Sequence, residues 1–256
     1  MNNHVILHIK NHYAYIYLNR QKCLNAINTK LADDLYQSLN KVSNNNNIKT
    51  VIIEGKGKAF CAGGDVKEMY ESRDKSALIL ELTQKIHDCI LLMRTIKKPI
   101  IASVNGPAIG AGFSLMLGCD IIIADKEALF STAFIKLGLA PGCGTQLLAQ
   151  SIGYQRACEY ILTAKKFTAE EAEKMGIINK AVEQDNRQHE IEKYIQIFSK
   201  LPTHAIGEAK ELINKSFNNT IQDHFKLESM TASSCANTKD FIERITAFIE
   251  KRKPNF

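Results

Sequence analysis

The sequence predicts an α/β protein in which a sheet-containing core is followed by a helical C-terminal layer. Three observations support this prediction: apolar residues alternate near the N-terminus, a pattern of strand, glycine-rich turn and helix repeats between about residues 50 and 124, and helical periodicity dominates beyond about residue 145. With 256 residues and 45% hydrophobic content, the chain can bury one sizeable core. We predict a core over residues 1–195 and a helical layer over residues 196–256.

The N-terminal segments 5–9 and 13–17 place apolar or aromatic side chains at every second residue, which is the period of a β-strand. They predict two antiparallel strands. Residues 31–42 then carry leucine and valine at helical spacing, which predicts a helix. The polar residues 43–47 end that helix as a loop.

The middle of the chain alternates between predicted strands and helices. Residues 49–54, 99–104 and 119–124 are largely apolar runs that predict buried strands, and residues 110–117 predict a helix. This succession is typical of an α/β core.

Beyond about residue 145 the strand signal is confined to residues 177–182, and amphipathic helices dominate. These helices carry large apolar side chains that a lone helical tail could not bury. They are Phe225, Met230, Phe241, Ile245, Phe248 and Ile249. We expect this layer to pack against the core or against another subunit.

Composition and charge exclude several classes of protein. The formal net charge of +6 suits an anionic partner, but the basic residues are dispersed except at 251–253, so we expect no nucleic-acid partner. No apolar run approaches the roughly 20 residues that span a bilayer, and Met1–Val5 has no basic stretch followed by a hydrophobic core. The seven cysteines lack the spacing of a zinc site. We expect a cytoplasmic protein without a membrane partner, a metal or a permanently bound cofactor.

Two glycine-rich loops carry the clearest chemical signal. Residues 58–67 (KAFCAGGDVK) follow a predicted strand, and residues 105–112 (NGPAIGAG) follow another strand and open a helix. Glycine lets the backbone approach a ligand, and the first N–H groups of a helix have no partner within it. Two such donors on one oxygen would form an oxyanion hole for a thioester enolate, in which each is worth roughly 3 to 4 kcal/mol.

The pairing of AFCAGGD with PIIASVNGPAIGAG, followed by CDI at 119–121 and LGL at 137–139, resembles the crotonase (enoyl-CoA hydratase/isomerase) superfamily along nearly the whole chain. The ending AFIEKR also matches. The resemblance implies a spiral core of ββα turns with a C-terminal helical trimerisation layer, and so a homotrimer or a hexamer. It also implies an acyl-CoA substrate, with coenzyme A as part of that substrate.

The resemblance further implies which residues form the site. It assigns the oxyanion-hole N–H groups to Ala62 and Ala111. It places the adenine and phosphates of CoA near Lys22, Leu24, Ala26, Asp65 and Val66. Lys251 is implied as a further phosphate contact, in this chain or in a neighbouring subunit.

The departures from the family pattern bear on the reaction. Hydratases of the superfamily carry two glutamates that hold and deprotonate water, and the matching positions here are Ser114 and Phe134. General acid–base catalysis is typically worth 10² to 10⁴ in rate, so efficient water addition is not expected. No Asp or Glu occurs between Glu127 and Glu159, so a register slip of one residue does not restore an acid.

Residues 133–141 look most like the enoyl-CoA isomerases of the phenylacetate pathway, which place an aspartate directly after the proline. This chain has Gly142 there. The glycine-rich turn is also similar to that of decarboxylating crotonases, in which loss of CO₂ itself creates the enolate. We therefore predict isomerisation or decarboxylation, with Phe134 and Gly142 in the wall of a pocket for an apolar or aromatic acyl chain.

Few other side chains could take part in proton transfer. Ser114 is a candidate for positioning water or the acyl group. Cys143 is a candidate weak acid, although a buried inert thiol is commoner. Asp65 is expected to fix its loop, Glu68 is a weaker candidate, and His87 is expected on a solvated helix face.

Two other interpretations stay open. The protein could be a weak enoyl-CoA hydratase in which Ser114 or backbone groups hold the water. It could also be a non-catalytic, oligomeric acyl-CoA-binding protein that kept the fold and lost the chemistry.

Overall fold

The computed structural model describes residues 3–255. Its strands are β1 (Val5–Lys10), β2 (Tyr13–Leu18), β3 (Thr50–Gly55), β4 (Ile100–Val104), β5 (Ala108–Ile109), β6 (Ile121–Asp125), β7 (Leu129–Ser131), β8 (Phe167–Thr168) and β9 (Lys180–Val182). Its α-helices are α1 (Thr29–Ser43), α2 (Val66–Glu71), α3 (Lys75–Thr95), α4 (Ala111–Leu117), α5 (Thr145–Ile152), α6 (Tyr154–Thr163), α7 (Ala169–Met175), α8 (Gln184–Lys200), α9 (Thr203–Ser216), α10 (Ile221–Ala236) and α11 (Lys239–Ile249). Short 3-10 helices lie at Gln21–Cys23 and Phe134–Leu137.

The central sheet has the strand order β1-β2-β3-β4-β6-β9. The hairpin of β1 and β2 is antiparallel, and every later neighbour pairs in parallel. Ile52 of β3 lies opposite Ile101 of β4, which lies opposite Ile121 of β6. Strands that are covered on both faces are apolar throughout, which explains their continuous hydrophobic runs. A smaller sheet, in the order β5-β7-β8, lies beside the entry to α4.

Helices cover both faces of the central sheet. On one face α1 packs against α3, and its residues Leu31, Leu35 and Leu39 are fully buried at the predicted helical spacing. The side chain of Asn28 caps α1 by accepting a hydrogen bond from the Leu31 N–H at 2.9 Å. On the other face α8 packs through the buried Ile191.

The C-terminal helices are anchored to the core at α9. Lys210 of this helix is buried, and its Nζ donates to the Asp120 carboxylate at 2.7 Å and to the Met93 carbonyl at 2.7 Å. In contrast, α10 buries none of its residues, and the last two helices expose the large apolar side chains that the sequence singled out. They are Phe225, Met230, Phe241, Ile245, Phe248 and Ile249.

The predicted α/β core and helical C-terminal end are both present. The strand predicted at 177–182 forms only over Lys180–Val182, because the Ile177 N–H closes the last turn of α7 on the Ala172 carbonyl at 2.9 Å. The predicted boundary at residue 195 falls inside α8, where Ile195 is buried against the sheet. We propose that the helical layer begins after Lys200.

The sequence placed His87 on a helix without giving its bounds, and the structure extends this helix, α3, over Lys75–Thr95. Its residues Leu82, Ile86, Cys89 and Met93 recur at helical spacing and are buried. None of the helices within residues 3–255 has both the length and the hydrophobicity that crossing a bilayer requires.

Candidate active site

A cavity of about 100 Å³ lies where the first glycine-rich loop, α3 and residues 133–143 meet. The loop contributes residues 62–64 and Val66, and α3 contributes residues between Ile79 and Ile86. Phe134 and Gly142 both line this cavity, where the sequence placed the acyl pocket. Within the described part of the chain, no Asp, Glu, Lys, Arg or His lines it.

Backbone pairing brings the two glycine-rich loops together. The Cys61 N–H donates to the Pro107 carbonyl at 3.1 Å, and the Ile109 N–H donates to the Cys61 carbonyl at 2.9 Å. A Cβ at Gly112 would lie 2.4 Å from the Cys61 carbonyl oxygen. Glycine is therefore required at residue 112 for the helix to approach the first loop this closely.

The amide of Ala62 is not a free donor. Its N–H donates to the carbonyl of Leu24 at 2.9 Å. An amide paired in this way cannot also point squarely at a substrate oxygen. The prediction that Ala62 supplies an oxyanion-hole N–H is therefore wrong.

The amide of Gly64 is available instead. Gly64 forms a parallel bridge with Ile27, in which the Ile27 N–H donates to the Gly63 carbonyl at 2.7 Å and the Asp65 N–H donates to the Ile27 carbonyl at 2.9 Å. In such a bridge the central residue turns its own N–H away from the partner strand. Among residues 3–255 no group accepts from the Gly64 N–H.

The second free amide belongs to Ala111, the first residue of α4. Its N–H has no acceptor within the helix because of its position, and no other described residue accepts from it. The two loops are adjacent here, since an ideal Cβ on Gly63 would lie 3.7 Å from the Ala111 nitrogen. Gly64 and Ala111 both line the cavity, so their N–H groups are the pair that can meet at one substrate oxygen.

Arg20 and Asp65 fix the first loop, and sequence reasoning missed the arginine. The Arg20 guanidinium donates to the Ala26 carbonyl and pairs with the Asp65 carboxylate at 2.8 Å. Asp65 also caps α2 by accepting from the Lys67 N–H at 3.0 Å and the Glu68 N–H at 3.3 Å. Burial raises the pKa of Asp65, but the hydrogen bonds and the charge of Arg20 outweigh it, so the pKa is lowered. The loop-fixing role predicted for Asp65 agrees with this geometry.

Asn25 is a second residue that sequence reasoning missed. It is fully buried and has a positive φ of 58°. Its Nδ2 donates to the carbonyls of Lys56 at 2.9 Å and Ala59 at 2.8 Å, while its Oδ1 accepts from the Arg20 N–H at 2.9 Å. Asparagine tolerates the left-handed backbone region better than most residues, which is the signal that could have identified it.

The other predicted CoA-binding residues lie in two separate places. Lys22 is exposed on the 3-10 helix after β2, and Leu24 and Val66 are each about half exposed. Lys251 follows α11, where its N–H donates to the Phe248 carbonyl at 3.3 Å. No hydrogen bond or ion pair within residues 3–255 links Lys251 to the other residues of this group.

Ser114 does not line the cavity. It is buried, and its Oγ donates to the Cys143 carbonyl at 2.9 Å, with the Gly110 carbonyl at 3.3 Å. The Ser114 hydroxyl therefore has backbone partners, and its role in positioning water or the acyl group stays a prediction. Burial raises the pKa of the Cys143 thiol, partly offset by Ser114, in keeping with an inert buried thiol.

The remaining candidates for proton transfer have other partners. Glu68 accepts hydrogen bonds from the Thr29 N–H at 3.1 Å and the Thr29 hydroxyl at 2.8 Å. His87 is exposed, as predicted, but it is more than a solvated residue, because its Nε2 lies 2.7 Å from the carbonyl oxygen of Gly142. Within residues 3–255 no cluster of His, Cys, Asp and Glu could hold a metal ion.

Comparisons with known proteins agree with the fold. The family model described as enoyl-CoA hydratase/isomerase matches residues 8–256. A mitochondrial enoyl-CoA hydratase of Pongo abelii is 35% identical over 250 residues, covering 96% of this chain and 84% of that protein. A 1,2-epoxyphenylacetyl-CoA isomerase of Escherichia coli is 31% identical over 255 residues, covering 98% and 97%. The crystal structure of an enoyl-CoA hydratase from Bacillus anthracis matches with a TM-score of 0.94 and 28% identity, covering 99% of this chain and 98% of that one.

Proposed function

This chain belongs to the enoyl-CoA hydratase/isomerase family, the crotonase superfamily, and from that premise we propose that it isomerises or decarboxylates an acyl-CoA thioester rather than hydrating one. The thioester oxygen would lie between the N–H groups of Gly64 and Ala111. Both donors are fixed by the backbone, so they need no reorganisation when negative charge develops on that oxygen.

The absence of a carboxylate from the described cavity wall is the observation that carries this proposal. Water addition to an enoyl thioester needs a group that holds the water and takes its proton. Ser114 donates its hydroxyl proton to the Cys143 carbonyl, and Phe134 offers no polar atom to the cavity. The wall thus supports binding of an apolar acyl group and stabilisation of an enolate, without supplying a base.

Decarboxylation needs fewer catalytic groups than isomerisation does, so it agrees better with a cavity wall that lacks a carboxylate. The bond between the α-carbon and the carboxylate breaks, CO₂ leaves, and the electron pair forms the enolate that the two N–H groups stabilise. A proton from water then adds to the α-carbon. Isomerisation must instead remove a proton first, which needs a base that the described wall lacks.

The test is an incubation of the full chain in D₂O with saturated, enoyl and carboxyacyl CoA thioesters, followed by mass spectrometry. We expect CO₂ loss, or deuterium at the α-carbon, without hydration of crotonyl-CoA. Hydration above the rate without enzyme would overturn the proposal in favour of a hydratase. Binding of thioesters by calorimetry without any turnover would overturn it in favour of a non-catalytic acyl-CoA-binding protein.

We also propose that the C-terminal helices form a contact between copies of the chain, in a trimer or a dimer of trimers. The support is the exposed apolar surface of α10 and α11, where Phe225 is 59% and Phe248 is 84% exposed. Soluble proteins rarely leave contiguous surfaces of this kind uncovered.

A further inference from the structure

The cavity has two facing walls that come from distant parts of the sequence. One wall is α3, through side chains between residues 79 and 86, and the other is the segment 139–143. The width available to an acyl chain therefore depends on how these two walls are joined.

His87 and Thr83 join the walls at Gly142. The two side chains are four residues apart on α3 and so lie on the same helix face. His87 Nε2 lies 2.7 Å from the Gly142 carbonyl oxygen, which only a ring N–H donor satisfies. A Cβ on residue 142 would lie 2.5 Å from the Thr83 Cγ2 atom, so the methyl group of Thr83 packs directly on the glycine.

Thr83 cannot easily turn away from this contact. Its Oγ1 donates to the Ile79 carbonyl at 2.8 Å and lies 3.0 Å from the Leu80 carbonyl, and these contacts hold its rotamer. A side chain at residue 142 would therefore push the segment away from α3. This packing accounts for glycine at the position where the related isomerases place an acid.

The next carbonyl of the segment is held from the opposite side. Ser114 of α4 donates to the Cys143 carbonyl at 2.9 Å, so consecutive carbonyls are bound by α3 and by α4. The segment is thus clamped between two helices without using any side chain of its own.

We propose that His87 is a positioning residue that closes the cavity along the seam between α3 and residues 139–143, and so restricts the protein to short acyl chains. The inference rests on the proposed function, because it takes this cavity as the acyl site. The cavity of about 100 Å³ is smaller than the roughly 150 Å³ apolar cavity known to hold benzene. Because His87 is exposed, its removal would open the seam to solvent.

The experiment measures the binding of butanoyl-CoA and octanoyl-CoA to the full chain by calorimetry. Wild-type protein is expected to bind octanoyl-CoA no more tightly than butanoyl-CoA. The His87→Ala variant is expected to bind octanoyl-CoA about tenfold or more tighter than wild type, a change on the scale of one or two methylene groups in a pocket. Its affinity for butanoyl-CoA is expected to change by less than about threefold, since the oxyanion-hole amides are untouched.

Two further variants distinguish the loss of the hydrogen bond between His87 and Gly142 from a general destabilisation of the fold. His87→Gln keeps a donor at the position of Nε2 and should restore the wild-type preference. His189→Ala removes an exposed histidine of α8 and should leave the preference unchanged. Equal chain-length profiles for wild type and His87→Ala would overturn this inference alone, and so would a His87→Gln variant that behaves like His87→Ala. Failure of wild type to bind either thioester would overturn the proposed function and, with it, this inference.

Discussion

The hydroxyl of Ser114 donates a 2.9 Å hydrogen bond to the carbonyl oxygen of Cys143. The family resemblance places a hydratase glutamate at the position of Ser114, and in this structure the Ser114 hydroxyl holds a backbone segment in place. A carboxylate at residue 114 would meet that segment, because even an ideal Cβ on Gly144 lies only 2.3 Å from the Ser114 Oγ atom. Residue 114 therefore makes a structural contact, and its neighbours pack closely around the serine side chain.

Replacing Ser114 by alanine should lower the free energy of unfolding by about 1 to 3 kcal/mol, because it leaves the carbonyl of the buried Cys143 without its donor. Urea unfolding of the two proteins measures the difference. Ser151→Ala is the matched control, since Ser151 bonds the Leu147 carbonyl on an exposed face of α5 and should change stability by less than about 0.5 kcal/mol. Equal losses in the two variants would show that the Cys143 contact has no special role.

Gly144 tests how tightly the segment packs on Ser114. Gly144 and Gly176 have similar positive φ values of 82° and 79°, but an added Cβ meets Ser114 at Gly144 and nothing within 4 Å at Gly176. Gly176→Ala should therefore lower the free energy of unfolding by only about 1 to 2 kcal/mol, which is the cost of placing a residue with a Cβ in the left-handed backbone region. Gly144→Ala should lower the free energy of unfolding by at least about 1 kcal/mol more, because the added methyl group overpacks against Ser114. Thermal and urea unfolding of both variants check this, and equal losses would contradict the packing argument.

Binding of a thioester should perturb the amides of Gly64 and Ala111 and leave that of Ala62 nearly unchanged. The reason is that Ala62 donates to Leu24 in the protein itself, whereas the other two N–H groups await an acceptor. Selective ¹⁵N labelling of glycine and alanine allows the amide shifts to be followed during titration with butanoyl-CoA. A large shift at Ala62 together with none at Gly64 would reinstate the assignment implied by the resemblance.

Local periodicity predicted the elements that form around a buried stripe, such as α1, whose Leu31, Leu35 and Leu39 are fully buried at the expected spacing. Phe134 and Gly142, which the sequence assigned to one pocket because a motif fixed their order along the chain, both line the same cavity. These features depend on residues that are near one another in sequence.

The features that were missed depend on pairing across long separations. The bridge between Ile27 and Gly64 determines which amide of the first loop is free. These residues are 37 positions apart, and the sequence of the loop itself does not indicate the pairing. The contact of His87 with Gly142 likewise joins residues 55 apart. Composition and spacing do not encode the direction in which a backbone N–H points, so the donor could be settled only from the structure.

Asp65 should make stability depend on pH in the acid range. Its pKa lies below the ordinary value of 3.8, so the folded state favours the ionised carboxylate. The resulting stabilisation is fully present above pH 4 or so and is lost as pH falls through the folded pKa. Asp65→Asn should lower the free energy of unfolding by about 1 to 2 kcal/mol at neutral pH, and the difference from wild type should shrink at lower pH.

The matched control for that prediction is Asp74→Asn. Asp74 caps α3 through the Ala77 N–H at 2.9 Å but pairs with no cation within residues 3–255. A loss at Asp74 as large and as pH-dependent as that at Asp65 would assign the effect to helix capping, and not to the ion pair with Arg20.

Self-association should depend on the exposed apolar faces of the last helices. Phe248 is 84% exposed on α11, and its neighbour Ile249 is 72% exposed, although both are large and apolar. If another copy covers them, Phe248→Asp places a charge in an apolar contact and should shift the protein toward monomer in sedimentation velocity. Leu91→Asp is the control, because Leu91 is 63% exposed but lies on α3 and not on α10 or α11. A monomeric wild type, or equal dissociation by both variants, would contradict the assignment of the interface to α10 and α11.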